Sequence, residues 1–318
     1  MNDSSNEMWA PSATIETLKA RAKIIHTIRE YFNNKGCLEV TTPLLSACGN
    51  TEPNLQSYVV EGVGYLNTSP EFHMKRLLAS QSGPIYQICP AFRQDEQGTR
   101  HNREFSMLEW YRPNWSLKQL MDEVVELLHQ FMPVRETLEL SYKLALFEHT
   151  AIDWTVDSDE KIEHKAIELL GEIPVGLSRD ELLDLLFCMV VEPKLPQEKW
   201  CFITQYPPSQ ASLAKTELDE NSQLVAHRFE LYANGLELAN GYWELTDALE
   251  QLTRFKKDNT LRKSQNKPQI NLDHLLIEAL NNGLPECSGV AVGLDRVMML
   301  ALEKTDIKQV LSFDANRA

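Results

Sequence analysis

A strand-like run from Pro84 to Ile88 leads into Arg93, and a second run from Glu104 to Tyr111 returns after a short polar stretch that contains Gly98. Two such runs around a glycine-bearing loop predict an antiparallel hairpin, which commits this part of the chain to a sheet. Alternation along the second run sets Phe105, Met107, Glu109 and Tyr111 on one face. Arg93, at the end of the first strand, has the planar fork that grips a phosphate or carboxylate, and Glu109 faces the same pocket. An isolated arginine on a strand more often marks a solvated surface hairpin. Here Glu109 and Tyr111 stand in line with buried-type residues and need partners if buried. With Phe92-Arg93-Gln94-Asp95-Glu96 and His101-Asn102 between the runs, the arrangement suits a nucleotide.

The rest of the chain alternates helical and strand patterns. Ile15, Leu18, Ala22, Ile25, Ile28 and Phe32 recur at helical spacing, and Gly36 stops that helix. Residues 37–43 predict a short strand ended by Pro43. Helices are predicted over about 116–131 and from about Ser178 to before Pro193. Ser116 with Gln119, and Ser178 with Glu181, stand at capping-box spacing. Residues 199–245 are strand-rich, and helices return at about 247–263, 273–281 and after Gly293. Helices flanking a largely antiparallel sheet make an α+β fold. With no repeat, low-complexity tract or linker, residues 1–318 read as one domain, with 1–11 flexible.

Charge narrows the partners. The formal net charge of -15 disfavours an extensive nucleic-acid footprint, which relies on clustered lysine and arginine. The six cysteines contain no C-x-x-C pair, so neither a zinc site nor a redox motif is predicted. No segment has the apolar length of a membrane span, and residues 1–11 lack a basic start and an apolar core, so the chain reads as cytoplasmic.

Two further segments carry chemistry. Glu230, Glu237 and Glu244 lie seven residues apart, and the Asn234-Gly235 turn lets Glu230 and Glu237 converge from the arms of a hairpin, as magnesium with nucleotide phosphates requires. The competing reading is three exposed glutamates. Strict alternation from Glu237 to Glu244 sets Glu237, Ala239, Gly241 and Trp243 on one face and Leu238, Asn240, Tyr242 and Glu244 on the other, a face suited to an amine-bearing ligand. Finally, Gly289-Val290-Ala291-Val292-Gly293-Leu294-Asp295-Arg296 is a small-residue strand turning into a helix, with Arg296 in its first turn.

In this order the segments resemble the three signature motifs of class II aminoacyl-tRNA synthetases: the first helix with Gly36 to Pro43, the Arg93 to Tyr111 hairpin, and Gly289 to Arg296. Residues 68–77 (Thr68-Ser69-Pro70-Glu71-Phe72-His73-Met74-Lys75-Arg76-Leu77) and 237–244 resemble the lysyl-tRNA synthetase catalytic core. The first motif begins almost at once, with no room for an anticodon-reading domain. That pattern is similar to the elongation factor P-(R)-β-lysine ligase family, which also shares Met107 to Pro113 and Cys287 to Ala291.

The resemblance implies ATP and Mg2+ as cofactors, β-lysine as substrate, elongation factor P as acceptor, and a homodimer built on the first motif. It makes Arg93 and Arg296 the catalytic clamps on the ATP phosphates. Asp95, His101, Asn102, Phe105, Glu237, Leu238 and Gly293 join them around ATP, with Phe105 stacking on adenine. Glu230 and Glu237 hold the metal. Ser69, Pro70, Glu71, Glu109, Tyr111, Asn240, Tyr242, Glu244 and Ala291 surround the substrate.

This chain departs from lysyl-tRNA synthetases at three places. Gln94-Asp95 replaces Asn-Glu, which leaves two readings, a weaker adenine contact or one passed to Glu96. Arg103 replaces a proline. Ala291 replaces a glycine, and its methyl narrows the pocket, consistent with an amino group placed differently from that of α-lysine. Two other functions remain open at this point: a truncated tRNA ligase, and a non-catalytic paralogue that senses an amino acid or nucleotide.

Overall fold

The structure, a computed structural model, describes residues 8–318; the flexibility expected for residues 1–7 lies outside them. Within the expected flexible stretch, Ala10 is buried, and Arg317 donates to the Ala10 and Pro11 carbonyls at 2.7 and 3.2 Å. The chain forms two compact units, residues up to 133 with 246–318, and residues 134–245.

The first unit opens with α1 (Ile15–Asn34), whose Thr14 hydroxyl accepts from Thr17 N. Its Ile24, Ile28, Tyr31 and Phe32 are buried, and Gly36 takes the left-handed φ of 67° that ends it. Of the strand expected over 37–43, only β1 (Leu38–Glu39) pairs. Next come β2 (Leu45–Ser46), β3 (Val59–Val60) and β4 (Gly64–Leu66), a small sheet ordered β2-β4-β3. Gly64 cannot be replaced there, since a Cβ would lie 2.1 Å from the Ser46 carbonyl oxygen. Then follow α2 (Glu71–Ala79), β5 (Ile85–Phe92), β6 (Glu104–Pro113) and α3 (Leu117–Leu128), the last with its Ser116–Gln119 capping box formed.

The second unit contains β7 (Thr137–Ser141), α4 (Tyr142–Thr150), α5 (Asp159–Leu170), α6 (Arg179–Leu186), β8 (Trp200–Tyr206), β9 (Thr216–Leu218), β10 (Leu224–Ala233) and β11 (Leu236–Trp243). Its strands run in the order β11-β10-β8-β7, with β9 on β10 and only β7–β8 parallel. Tyr142, Leu146, Ile162, Leu186, Phe187 and Ile203 belong to the core under this sheet. The Ser178–Glu181 capping box is formed, and α6 runs on into a π-helical turn over Phe187–Val191.

The chain returns to the first unit with α7 (Ala248–Ser264), α8 (His274–Gly283), β12 (Cys287–Gly293) and α9 (Leu294–Ala301). Here β1 lies parallel to β5, while β5, β6 and β12 are antiparallel neighbours. The fold is α+β, with mostly antiparallel sheet flanked by helices, as the sequence predicts. On β6, Trp110 packs against Phe32 at 5.2 Å between ring centroids, and its indole N–H donates to Glu123 of α3. The alternate residues are thereby turned to the opposite face. No disulfide joins the cysteines, and no helix among the described residues is long and apolar enough to cross a membrane.

Candidate active site

In the first unit, Glu109 sits mid-strand on β6, 2 % exposed, opposite Gln87 of β5 on one side and Ala291 of β12 on the other. Two hydroxyls donate to its carboxylate, Ser69 Oγ at 2.6 Å and Tyr111 OH at 2.7 Å. Ser69 also accepts from the Glu71 backbone N–H at 3.0 Å, so one hydroxyl ties the start of α2 to the strand. Pro70 occupies the N-cap position of that helix. Burial, and then the charge of Glu71, push the Glu109 carboxyl up to about 7. Glu71 itself accepts from Lys75 Nζ at 2.7 Å. Ser69, Glu71, Glu109, Tyr111 and Ala291 thus stand together around one buried carboxylate. Ser69 and Glu71 also line a small cavity of about 30 Å³.

The phosphate-type residues form a second cluster. Arg93 Nη1 donates to Glu96 at 2.9 Å, and its guanidinium lies 5.1 Å from the Phe105 ring centroid. The Arg93 Nε is buried without a hydrogen-bond partner. Arg296 contacts His101 Nε2 and donates to the Arg100 carbonyl at 3.3 Å. Burial and the Arg296 charge hold His101 below its usual pKa. For Glu96 burial raises the pKa, yet Arg93, His101 and Arg296 together bring it below the ordinary value. Glu96 is therefore committed to Arg93, while Asp95 is exposed.

Asn102 makes two backbone contacts. Its amide donates to the Glu104 carbonyl at 2.6 Å and accepts from Ala315 N at 3.1 Å, which pins the C-terminal segment. A cavity of about 600 Å³ opens beside it, also lined by Phe105, Arg103, Arg21 and Asp314. Gly293 caps α9, and Asp295 in its first turn accepts from Arg21 at 2.6 Å and from Ser106 N at 2.7 Å. This fixes the helix bearing Arg296 to β6. Sequence reasoning passed over Arg21, Lys75 and Gln87; for Lys75, the i,i+4 spacing from Glu71 beside Met74 and Leu78 was the available signal.

In the second unit, the hairpin of β10 and β11 carries a bulge that corrects the face assignment. Leu231 pairs with Ala239 but Tyr232 pairs with Glu237, so Leu238 is an extra, buried residue. Glu237 therefore shares the face of Glu230, Asn240 and Tyr242. Both Glu230 oxygens are engaged, Oε1 by Arg228 and Oε2 by the hydroxyls of Tyr206 and Tyr232. Arg228 also donates to Asn240 Oδ1 at 3.2 Å, and Asn240 donates to Tyr242 OH at 3.2 Å. Glu244 is buried just beyond β11, where Ala214 bridges to it. Magnesium bound with phosphates needs only one or two carboxylates. Glu230 fits that role only by giving up one of its donors. Among the described residues no group of three or more His, Cys, Asp or Glu forms a metal cluster by itself.

Comparison with known proteins agrees with this geometry. Residues 8–317 match the family of tRNA synthetases class II (D, K and N). Proteins named elongation factor P–(R)-β-lysine ligase are similar over nearly the whole length. The one from Pseudoalteromonas translucida is 46% identical over 325 residues, spanning 99% of this chain and 100% of the relative. Those from Actinobacillus succinogenes and Salmonella typhi are each 44% identical, over 98% and 99% of this chain and 99% and 100% of the relatives. A buried carboxylate cluster on an antiparallel sheet, three ordered motifs and similarity along the whole chain lead to one assignment: this chain belongs to the class II tRNA synthetase family (D, K and N), on the branch of the elongation factor P–(R)-β-lysine ligases.

Proposed function

We propose that this chain is a cytoplasmic, ATP-dependent, AMP-forming ligase that activates (R)-β-lysine as an acyl-adenylate and transfers it to a lysine side chain of elongation factor P. The observation that carries the reading is the buried Glu109 carboxylate, held by Ser69 and Tyr111 beside Glu71, which gives a lysine-type amine a site on the sheet floor. Ala291, in register with Glu109, narrows that floor by a methyl group, which supports a substrate whose amino group differs in position from that of α-lysine.

Chemically, the substrate carboxylate must attack the α-phosphate of ATP, and both groups are negative. Arg93 is assigned to the α-phosphate and Arg296 to the γ-phosphate, where fixed guanidinium groups offset the repulsion and the developing charge. His101 and Asn102 contact the triphosphate, and Phe105, whose ring centroid lies 5.1 Å from the Arg93 guanidinium, stacks on adenine. With Glu96 drawn to Arg93, adenine recognition falls to Asp95, with Gly293 beside ATP in the same unit. Glu237, with Glu230 after release of a donor, would hold magnesium, which supplies neutralisation of phosphate charge. Once pyrophosphate leaves, the neutral ε-amine of the acceptor lysine attacks the acyl carbonyl, the acyl–phosphate bond breaks, and AMP departs. Positioning supplies much of that second step.

A homodimer through α1 and the segment to Pro43 accompanies this reading; its test is a solution mass twice that of the 36.4 kDa chain. The activity is tested by supplying ATP with (R)-β-lysine, (S)-β-lysine or α-lysine, following pyrophosphate release, and identifying the labelled acceptor by mass. Preferred use of (R)-β-lysine with label on elongation factor P is expected. No pyrophosphate release with any of the three amino acids would leave only a sensing role.

A further inference from the structure

We propose that Gln87 contacts the substrate, its buried amide oxygen accepting one N–H of the terminal ammonium of the amino acid beside the Glu109 carboxylate. The inference deepens the amine-substrate reading above and rests on it.

Gln87 is 2 % exposed on β5 and pairs directly with Glu109 of β6. Residues paired in this way point to the same face of the sheet with Cβ atoms about 4.5–5.5 Å apart, so the amide stands on the floor that carries Glu109. The Glu109 carboxylate takes its hydrogen bonds from Ser69 and Tyr111, and neither Oε1 nor Nε2 of Gln87 has a hydrogen-bond partner within the protein. A buried amide with both ends unpaired lowers stability, and a methionine of similar shape would avoid that penalty. The amide itself therefore calls for an explanation.

Its surroundings supply one. Cys89, two residues further along the same face, is pushed up to about 12 by burial and is a thiol at neutral pH, a weak sulfur partner that leaves the amide oxygen uncommitted. Asn67 lines the small cavity with Ser69 and Glu71; its Nδ2 donates to the Pro90 carbonyl at 3.3 Å, while its Oδ1 is likewise buried without a partner. Uncommitted amide oxygens beside a carboxylate suit a group with three N–H donors and no acceptor, which an ammonium is. An amide also adds an acceptor without adding a further negative charge to Glu71 and Glu109, which already disfavour each other's ionisation. Of the two amines of β-lysine, the terminal one is matched by position. The substrate carboxylate goes to Arg93, which packs on Phe105, and Glu109 lies four residues further along β6, about 14 Å at the strand rise.

The test uses the full chain and the variants Gln87→Met and Gln87→Leu. Pyrophosphate release is followed with ATP and (R)-β-lysine, and the substrate-free proteins are unfolded in urea. In Gln87→Met the KM for (R)-β-lysine is expected to rise about tenfold or more, as for loss of one hydrogen bond to a charged group, while kcat and the KM for ATP change less than about twofold. The urea midpoint holds or rises. A structural amide predicts the reverse, a lower midpoint with an unchanged KM for the amino acid, and that result overturns the proposal. Inhibition by (R)-3-aminohexanoic acid, which lacks the terminal amine, should be the same in wild type and variant; a weakening equal to that of (R)-β-lysine overturns contact with that amine. Loss of folding in both Gln87→Met and Gln87→Leu would make the amide a structural bond and overturn the proposal as well. Should the wild type release no pyrophosphate with any lysine isomer, the amine-substrate reading falls and this inference with it; an active wild type with an unchanged KM in Gln87→Met removes this inference alone.

Discussion

Glu109 faces opposite demands in the empty and the occupied pocket. Its folded-state pKa is raised to about 7 by burial and by Glu71, so the folded chain holds this proton more tightly than the unfolded chain. Its contribution to stability is therefore greatest in acid and is lost as pH rises from the ordinary carboxyl range, about 4.3, through about 7. Amine binding needs the anion and runs the other way. Glu109→Gln should accordingly remove this pH slope and raise stability at pH 8 by roughly 1–3 kcal/mol while abolishing amino-acid activation. Urea denaturation at pH 5 and pH 8 checks it; a variant that keeps the wild-type slope would rule Glu109 out as its source. Gln87, directly opposite, is 2 % exposed and neither amide atom has a hydrogen-bond partner. Gln87→Met, close in shape and apolar, should stabilise the substrate-free protein by about 1–2 kcal/mol, and a lower urea midpoint would contradict that. Glu109 was legible in the sequence because alternation fixes its face whatever packs on it. Lys75 was not, since a Glu–Lys pair at i,i+4 ordinarily reads as solvated and only the packing of α2 buries it.

At the scale of elements, helices with both a cap and a stop were the most readable. The stop at Gly36, and the boxes at Ser116 and Ser178, appear where local hydrogen bonding dictates. What escaped is β7, α4 and α5, whose ends carry turn-type residues but whose apolar faces become meaningful only against the β8–β10 sheet. The face of Glu237 escaped for a different reason: a bulge adds one residue, and period-two counting from Glu237 to Asn240 then inverts. Element packing also sets the helix start that carries Arg296, the proposed phosphate clamp, because Asp295, 1 % exposed, receives Arg21 from α1 and Ser106 N from β6 immediately beside it. Arg21→Met leaves that carboxylate buried with no counter-charge and should cost about 3–5 kcal/mol of stability. Substituting Asp295→Asn as well should recover a large part of the loss, since no buried charge then remains. Thermal melts of the single and double variants measure this, and equal losses in both would show that the ion pair is not what holds α9 to β6. The KM for ATP should rise in the single variant, through Arg296.

For the whole molecule, the deciding quantity is charge. A chain of 318 residues with 46 acidic and 31 basic side chains repels a polyanion at long range. The family fold is shared with enzymes that charge tRNA, so fold cannot choose between a tRNA and a protein acceptor. Electrostatics can, because binding a phosphate backbone releases counterions and weakens steeply with salt, whereas capture of one lysine side chain does not. The expectation is that tRNA neither stimulates pyrophosphate release nor binds measurably at about 0.15 M salt, where exposed charges are screened beyond about 8 Å. Transfer of labelled β-lysine from ATP-activated enzyme should survive ribonuclease and disappear with protease, and its rate should change less than about threefold between 50 and 200 mM salt, against the 10³–10⁵-fold loss of affinity for a protein making many phosphate contacts. A ribonuclease-sensitive product with a steep salt slope would instead identify an RNA acceptor and remove elongation factor P from the reaction.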